Sequence, residues 1–212
     1  MPAITISDRL TTALQNHPDV DLKPWLPVLR TSIGETEQAI AGTTQILSIA
    51  IVGYWFLART VVAEISVSGF KITDLGLIQK LLLLLISYCY YRFMALATRR
   101  RFLRAAYAVI AERVEPWLEE AELGFFVLPP DVFSSEVMAS ASADKRLAKW
   151  IDTLSYPIMA AVAFGAVIVE IYALVTCFLK FGFGDMLLWA IVFASLLFLV
   201  QGTLLFSSAN NP

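Results

Sequence analysis

The chain has 212 residues, of which 58% are hydrophobic and only 16% charged, with a formal net charge of -2 and a mean hydropathy of +0.70. This is too apolar for an ordinary soluble domain, and the missing basic excess argues against broad nucleic-acid binding. Cys89 and Cys177 lie in apolar runs and His17, the one histidine, stands in a polar stretch, so no disulfide framework, metal cluster or cofactor is expected.

The first thirty residues lack the basic start and apolar run of a signal peptide and contain Pro18, Pro24 and Pro27. The first hydrophobic helix is therefore expected to direct insertion itself. Segment 1–38 reads as a cytoplasmic stretch in which Leu10, Leu14, Trp25, Leu26, Val28 and Leu29 dock on something apolar. Ser32-Ile33-Gly34-Glu35 fits a capping box, so a helix is expected to begin there and run into the membrane.

Four stretches are long enough to cross a hydrocarbon core of ~30 Å, which takes about 20 residues. They run from Thr43 to Val67, Leu75 to Thr98, Tyr156 to Leu179 and Met186 to Phe206. Trp150 and Tyr156 flank the third and Trp189 opens the fourth, as interfacial aromatics do. The connections at 67–74 and 180–185 are short, and Phe181-Gly182-Phe183-Gly184-Asp185 predicts a tight turn.

The helical pattern continues past the second span. Leu103, Tyr107, Ile110 and Val114 recur at three- and four-residue spacing. They predict one helix from Leu75 to Arg113, roughly 58 Å long at 1.5 Å per residue and ended by Glu115-Pro116. Leu147, Trp150, Ile151 and Leu154 form a second stripe beyond the break at Leu128-Pro129-Pro130-Asp131. Together the stripes predict an antiparallel hairpin, tied to the N-terminal segment or to a neighbouring subunit.

The expected fold is thus an all-α integral membrane protein of four transmembrane helices with a cytoplasmic helical hairpin between helices 2 and 3. Its parts are the N-terminal segment 1–38, spans one and two in 39–98, the hairpin 99–155, spans three and four in 156–206, and a tail 207–212. Arg99, Arg100, Arg101, Arg104, Arg113, Lys145, Arg146 and Lys149 lie between spans two and three, against Lys71 and Lys180 in the other loops. Positive charge near span ends marks the cytoplasmic side, which places both termini there.

Four ionisable residues fall within or at the edge of spans: Arg59, Glu64, Arg92 and Glu170. Each is costly in a bilayer and needs a partner, water or a proton. Arg92 can snorkel to the inner interface. Glu170, about 15 Å from Lys180 along a helix, cannot, and Arg59 is its expected partner, with Glu64 competing for the same guanidinium. Such a pair either fixes helix packing or lines a pore. Ala161, Gly165 and Ala166 form a small-residue ridge suited to close helix approach. The cluster Arg99, Arg100, Arg101 and Arg104 is expected to set topology and meet anionic lipid headgroups.

No nucleophile elbow, zinc-protease helix, phosphate loop or dinucleotide fingerprint occurs, and no enzyme is expected. The leading expectation is a membrane component that self-assembles into a homo-oligomer and uses its cytoplasmic helices to bind a soluble protein or sense a signal, with the spans as anchor, channel or pore. The alternative is an accessory subunit of a larger membrane enzyme or transport complex. In outline this is the architecture of small four-span proteins of bacterial defence and stress systems, a likeness of architecture alone, and a bacterial inner membrane is the expected location.

Overall fold

The computed structural model describes residues 6–17, 19–59, 65–67, 70–72, 75–117 and 165–210. Helix α1 spans Ile6–Asn16, α2 Trp25–Ala58 and α3 Leu75–Val114. A further helix, α4, is described over 165–181, and α5 covers Met186–Asn210. Strands β1 (Ile65–Val67) and β2 (Phe70–Ile72) pair antiparallel, with Val67 opposite Phe70. The fold is helical, as expected, with this one small hairpin added.

Three of these helices are long and apolar enough to cross a membrane: α2, α3 and the Met186–Leu205 part of α5. The remaining expected span begins outside the described residues, and its described part, 165–181, is helical.

Two boundaries differ from expectation. α2 begins at Trp25, not at the Ser32 capping box. Proline lacks an amide hydrogen, but the first turn of a helix has no carbonyl to bond it to, so Pro27 is accepted there. Pro24 immediately precedes the helix, and the Trp25 amide donates to Leu22 O at 3.1 Å. At the other end, α2 stops at Ala58 rather than running to Val67. The chain from Ile65 to Ile72 alternates apolar and polar residues around Ser68-Gly69, a pattern that suits a strand hairpin better than helix.

α3 matches the expected long helix within one residue of its C-terminus. Its 40 residues correspond to about 60 Å at the helical rise. The Glu115 amide bonds back to Ala111 O at 2.8 Å, and Pro116 ends the run.

The chain divides into two compact units. In the first, the described helical parts are α1, the start of α2, the end of α3 and the last turn of α5. Its core is Leu26, Ile33, Tyr107 and Ile110, flanked by Leu10, Leu22, Leu29, Leu103, Ala111 and Val114. The apolar stripe at the end of α3 therefore has the N-terminal segment as its partner. The Arg113 guanidinium donates to Leu14 O at 3.0 Å, which pins α1. Arg30 on α2 donates to the Tyr107 hydroxyl at 3.1 Å and pairs with Glu115 at 3.2 Å. The expected return stripe, Leu147 to Leu154, lies outside the described residues.

The second unit holds the rest of α2 and α3, the β1–β2 hairpin, α4, and α5 as far as Leu205. The predicted turn between α4 and α5 is present. Gly182 takes φ +77°, a left-handed conformation that costs glycine little, and its amide closes the helix on Phe178 O at 2.9 Å. Phe183 stacks on Phe178, and the Trp189 indole donates to Phe183 O at 2.9 Å.

Candidate functional site

The second unit is built polar side in. On α4, Glu170, Ala173 and Cys177 recur at three- and four-residue spacing, so they share one face, and all three are fully buried. α3 contributes Gln79, Lys80 and Ser87 to the same interior, and α5 contributes Ser195. These groups lie in three levels.

The level beside the α4–α5 turn is ionic. Lys80 pairs with Asp185, whose other carboxyl oxygen accepts the Leu188 amide at 3.0 Å and so caps α5. The Lys80 ammonium, with the Leu188 amide, holds the Asp185 carboxyl below the ordinary carboxylate range. The Phe181 ring faces Lys80 at 4.4 Å and Lys180 at 5.5 Å.

The middle level is a cluster of linked hydrogen bonds. Lys180 donates to Gln79 Oε1 at 2.9 Å, and the Gln79 amide donates to Tyr54 Oη at 3.3 Å. Tyr54 meets Thr176 Oγ1 at 2.6 Å and Ala173 O at 2.8 Å. Thr176 in turn returns its proton to Tyr172 O at 3.0 Å. Three helices are thereby tied through Tyr54, Gln79 and Thr176.

The third level is the Glu170 carboxyl. One oxygen contacts Ser87 Oγ, while Ser87 Oγ also lies 3.1 Å from Leu83 O, one turn back on its own helix. Ser195 adjoins the same carboxyl. The second oxygen of Glu170 and Ser195 Oγ are both buried and have no hydrogen-bond partner among the described residues.

The expected Arg59–Glu170 pair is not formed. Arg59 follows the last residue of α2, is exposed, and lies 4.0 Å above the Trp55 ring. Because α2 stops at Ala58, the guanidinium stacks on its own helix end instead of reaching the bundle interior. Glu64 lies outside the described residues. Arg92 is exposed on α3.

Of the small-residue ridge, Ala161 lies outside the described residues and Ala166 is buried. Gly165 has no described atom within 4 Å of a built Cβ. A close approach among the described residues is at Gly202 of α5, where a Cβ would stand 2.9 Å from the Tyr90 ring and 3.4 Å from Tyr91 Cα on α3.

In the first unit, the basic cluster divides. Arg99 and Arg101 are exposed, whereas Arg100 and Arg104, one turn apart, both bind Glu37 Oε1, at 2.9 and 3.2 Å. Glu37 is buried and its other oxygen has no partner among the described residues. Sequence reasoning missed Glu37, Ser87, Ser195 and Gly202. The one available signal was the acidic Glu35 and Glu37 lying upstream of a span, opposite in charge to the arginines after the next one.

Among the described residues, no three His, Cys, Asp or Glu side chains gather as metal ligands. Compared with family models, curated proteins and solved structures, the chain matches none of them.

Proposed function

We propose that this chain is a non-enzymatic membrane protein that crosses the bilayer four times and self-assembles. It uses the helical unit formed by α1 and the ends of α2 and α3 to bind a soluble cytoplasmic partner or sense a signal there. The spans serve as anchor or, on assembly, as a pore.

One observation carries the membrane reading. In the second unit, Gln79, Ser87, Glu170 and Ser195 are at most 1% exposed, while Ile49, Ile168, Leu179 and Phe193 are 66–81% exposed. A soluble domain does not place its acid, amide and hydroxyls inside and its large apolar residues outside. A bilayer rewards that inversion, because lipid solvates the apolar surface and the polar groups bond across helices. The outward-facing hydroxyls fit as well: Ser48 and Thr203 each return their proton to the carbonyl four residues back, which leaves them satisfied in lipid.

The first unit supports the binding role. It has its own apolar core, yet leaves Trp25, Val28 and Trp117 more than half exposed, and aromatic residues of this kind anchor protein interfaces. The excess of Lys and Arg around it supports a cytoplasmic side.

Native mass measurement of the chain in nanodiscs tests the reading. A homo-oligomer that stays intact supports self-assembly. Recovery only with stoichiometric foreign subunits contradicts it and favours an accessory subunit of a larger complex. Conductance of the oligomer in liposomes distinguishes pore from anchor.

A further inference from the structure

Ser87 Oγ touches two oxygens that can only accept a hydrogen bond from it: Leu83 O at 3.1 Å and, if Glu170 is ionised, the Glu170 carboxylate. A hydroxyl has one proton. With an ionised Glu170, one of those two contacts would set lone pairs against lone pairs in a fully buried place. With a carboxylic acid, both Ser87 contacts are satisfied: the acid O–H donates to Ser87 Oγ, and Ser87 donates to Leu83 O.

The surroundings point the same way. Glu170 is 0% exposed, and no cation pairs with it among the described residues. On the elements packed around it, the buried titratable groups are Tyr54 on α2, Lys80, Cys89 and Tyr90 on α3, and Cys177 on α4, while the exposed Lys180 reaches Gln79 from the end of α4. α5 brings none. Tyr54 and Lys180 are committed to Gln79, and Lys80 to Asp185. Depth matters too. Ser195 is the tenth residue of the apolar stretch Met186–Leu205, and so about 15 Å from its start. On the four-span reading, on which this inference rests, that is the middle of the bilayer, where an uncompensated charge is costly.

We propose that Glu170, Ser87 and Ser195 form a proton-binding site at the centre of the helix bundle. The ligand is a single proton on the Glu170 carboxyl, shared with Ser87. Ser195 Oγ and the second carboxyl oxygen, which have no partner among the described residues, form the side where an arriving or leaving proton is received. Removing the proton obliges the Ser87 hydroxyl to turn its own proton from Leu83 O to the carboxylate, so the site couples protonation to the bond between α4 and α3.

Infrared spectroscopy of the full chain in nanodiscs tests this. At neutral pH the wild type should show a carboxylic-acid C=O band that is absent from Glu170→Gln and moves to lower frequency in D2O. In Ser87→Ala the band should persist but move to higher frequency, because the acid O–H has lost its acceptor. That second variant keeps the assignment secure where Glu170→Gln does not fold. If wild type, Glu170→Gln and Ser87→Ala share the same carboxylic-acid region, Glu170 is ionised and the proposal fails. A band removed by Na+ or Li+ alone at constant pH also overturns it, in favour of a metal-cation site. Neither failure touches the membrane reading, which labelling from the two sides decides independently.

Discussion

The ring of Tyr90 on α3 lies 2.9 Å from the position a Cβ on Gly202 of α5 would take. The backbone of Tyr91 is close behind, at 3.4 Å, so the ring cannot simply swing aside for a larger residue. This contact fixes how near α3 and α5 come, as small residues do in membrane helix pairs.

Gly202→Ala should therefore destabilise the bundle by about 1–3 kcal/mol, the range of overpacking in a closed interior. The opposite is expected at Gly165, where a Cβ meets no described residue. There, alanine should leave stability unchanged or raise it by up to about 1 kcal/mol through helix propensity. Thermal unfolding of the two variants in the same detergent checks both.

Glu37 holds Arg100 and Arg104 together. Glu37→Gln leaves two partly buried guanidinium groups without their carboxylate. Breaking a fully buried pair costs roughly 3–5 kcal/mol. The arginine side chains here retain 14% and 19% exposure, so about 2–3 kcal/mol is expected. Arg99 is exposed, and Arg99→Gln should stay within about 0.5 kcal/mol of wild type. Denaturant titration followed by tryptophan fluorescence resolves the difference.

Tyr54→Phe removes the hydroxyl that links Gln79, Thr176 and Ala173 O. The expected loss is about 0.5–2 kcal/mol, since interhelical hydrogen bonds in apolar surroundings have modest net value. If Tyr54→Leu costs far more stability than Tyr54→Phe, packing of the ring matters more than the chain of hydrogen bonds.

Asp185 supplies the pH dependence. Its carboxyl is held below the ordinary range by Lys80 and the Leu188 amide. A depressed folded value means the carboxylate is favoured by folding, so its contribution is complete above about pH 4, the unfolded value, and falls away as pH drops through the lower folded value. The unfolding midpoint of the wild type should thus decline on acidification below about pH 4. In Asp185→Asn the decline should be shallower, while α5 keeps its cap, because asparagine caps nearly as well as aspartate. Parallel pH profiles of the two proteins would refute this assignment.

Much of the helix layout was legible because it rests on local pattern. α3 could be followed from Leu75 to Val114 since its apolar spacing never breaks, and the α4–α5 turn announced itself through Gly182 and Gly184. The docking of the N-terminal segment was visible in its leucines, but spacing left its partner stripe open between that segment and a neighbouring subunit. Ser32 misled because prolines at 24 and 27 looked like interruptions, when the first turn tolerates them. The end of α2 at Ala58 was hidden by residues equally apolar as strand or span. At the site, Glu170 was conspicuous as a lone acid, but its neighbours Ser87 and Ser195 were not. A serine in a span reads as satisfied by its own helix, and contacts across 83 residues leave no trace in spacing. Charge attraction suggested Arg59. The structure satisfies Arg59 on Trp55 and leaves the acid to a hydroxyl.

The central claim is that the helices of the second unit cross a bilayer, with the end of α3 and the α4–α5 turn on opposite sides. With Cys89 and Cys177 replaced, single cysteines at Glu112 and Gly184 can be labelled by an impermeant maleimide in inverted and right-side-out vesicles. Both positions are exposed, and a Cβ at Gly184 meets no described residue. Labelling of Glu112→Cys only from the cytoplasmic side and of Gly184→Cys only from the other is the predicted result. Labelling of both from the same side would contradict it.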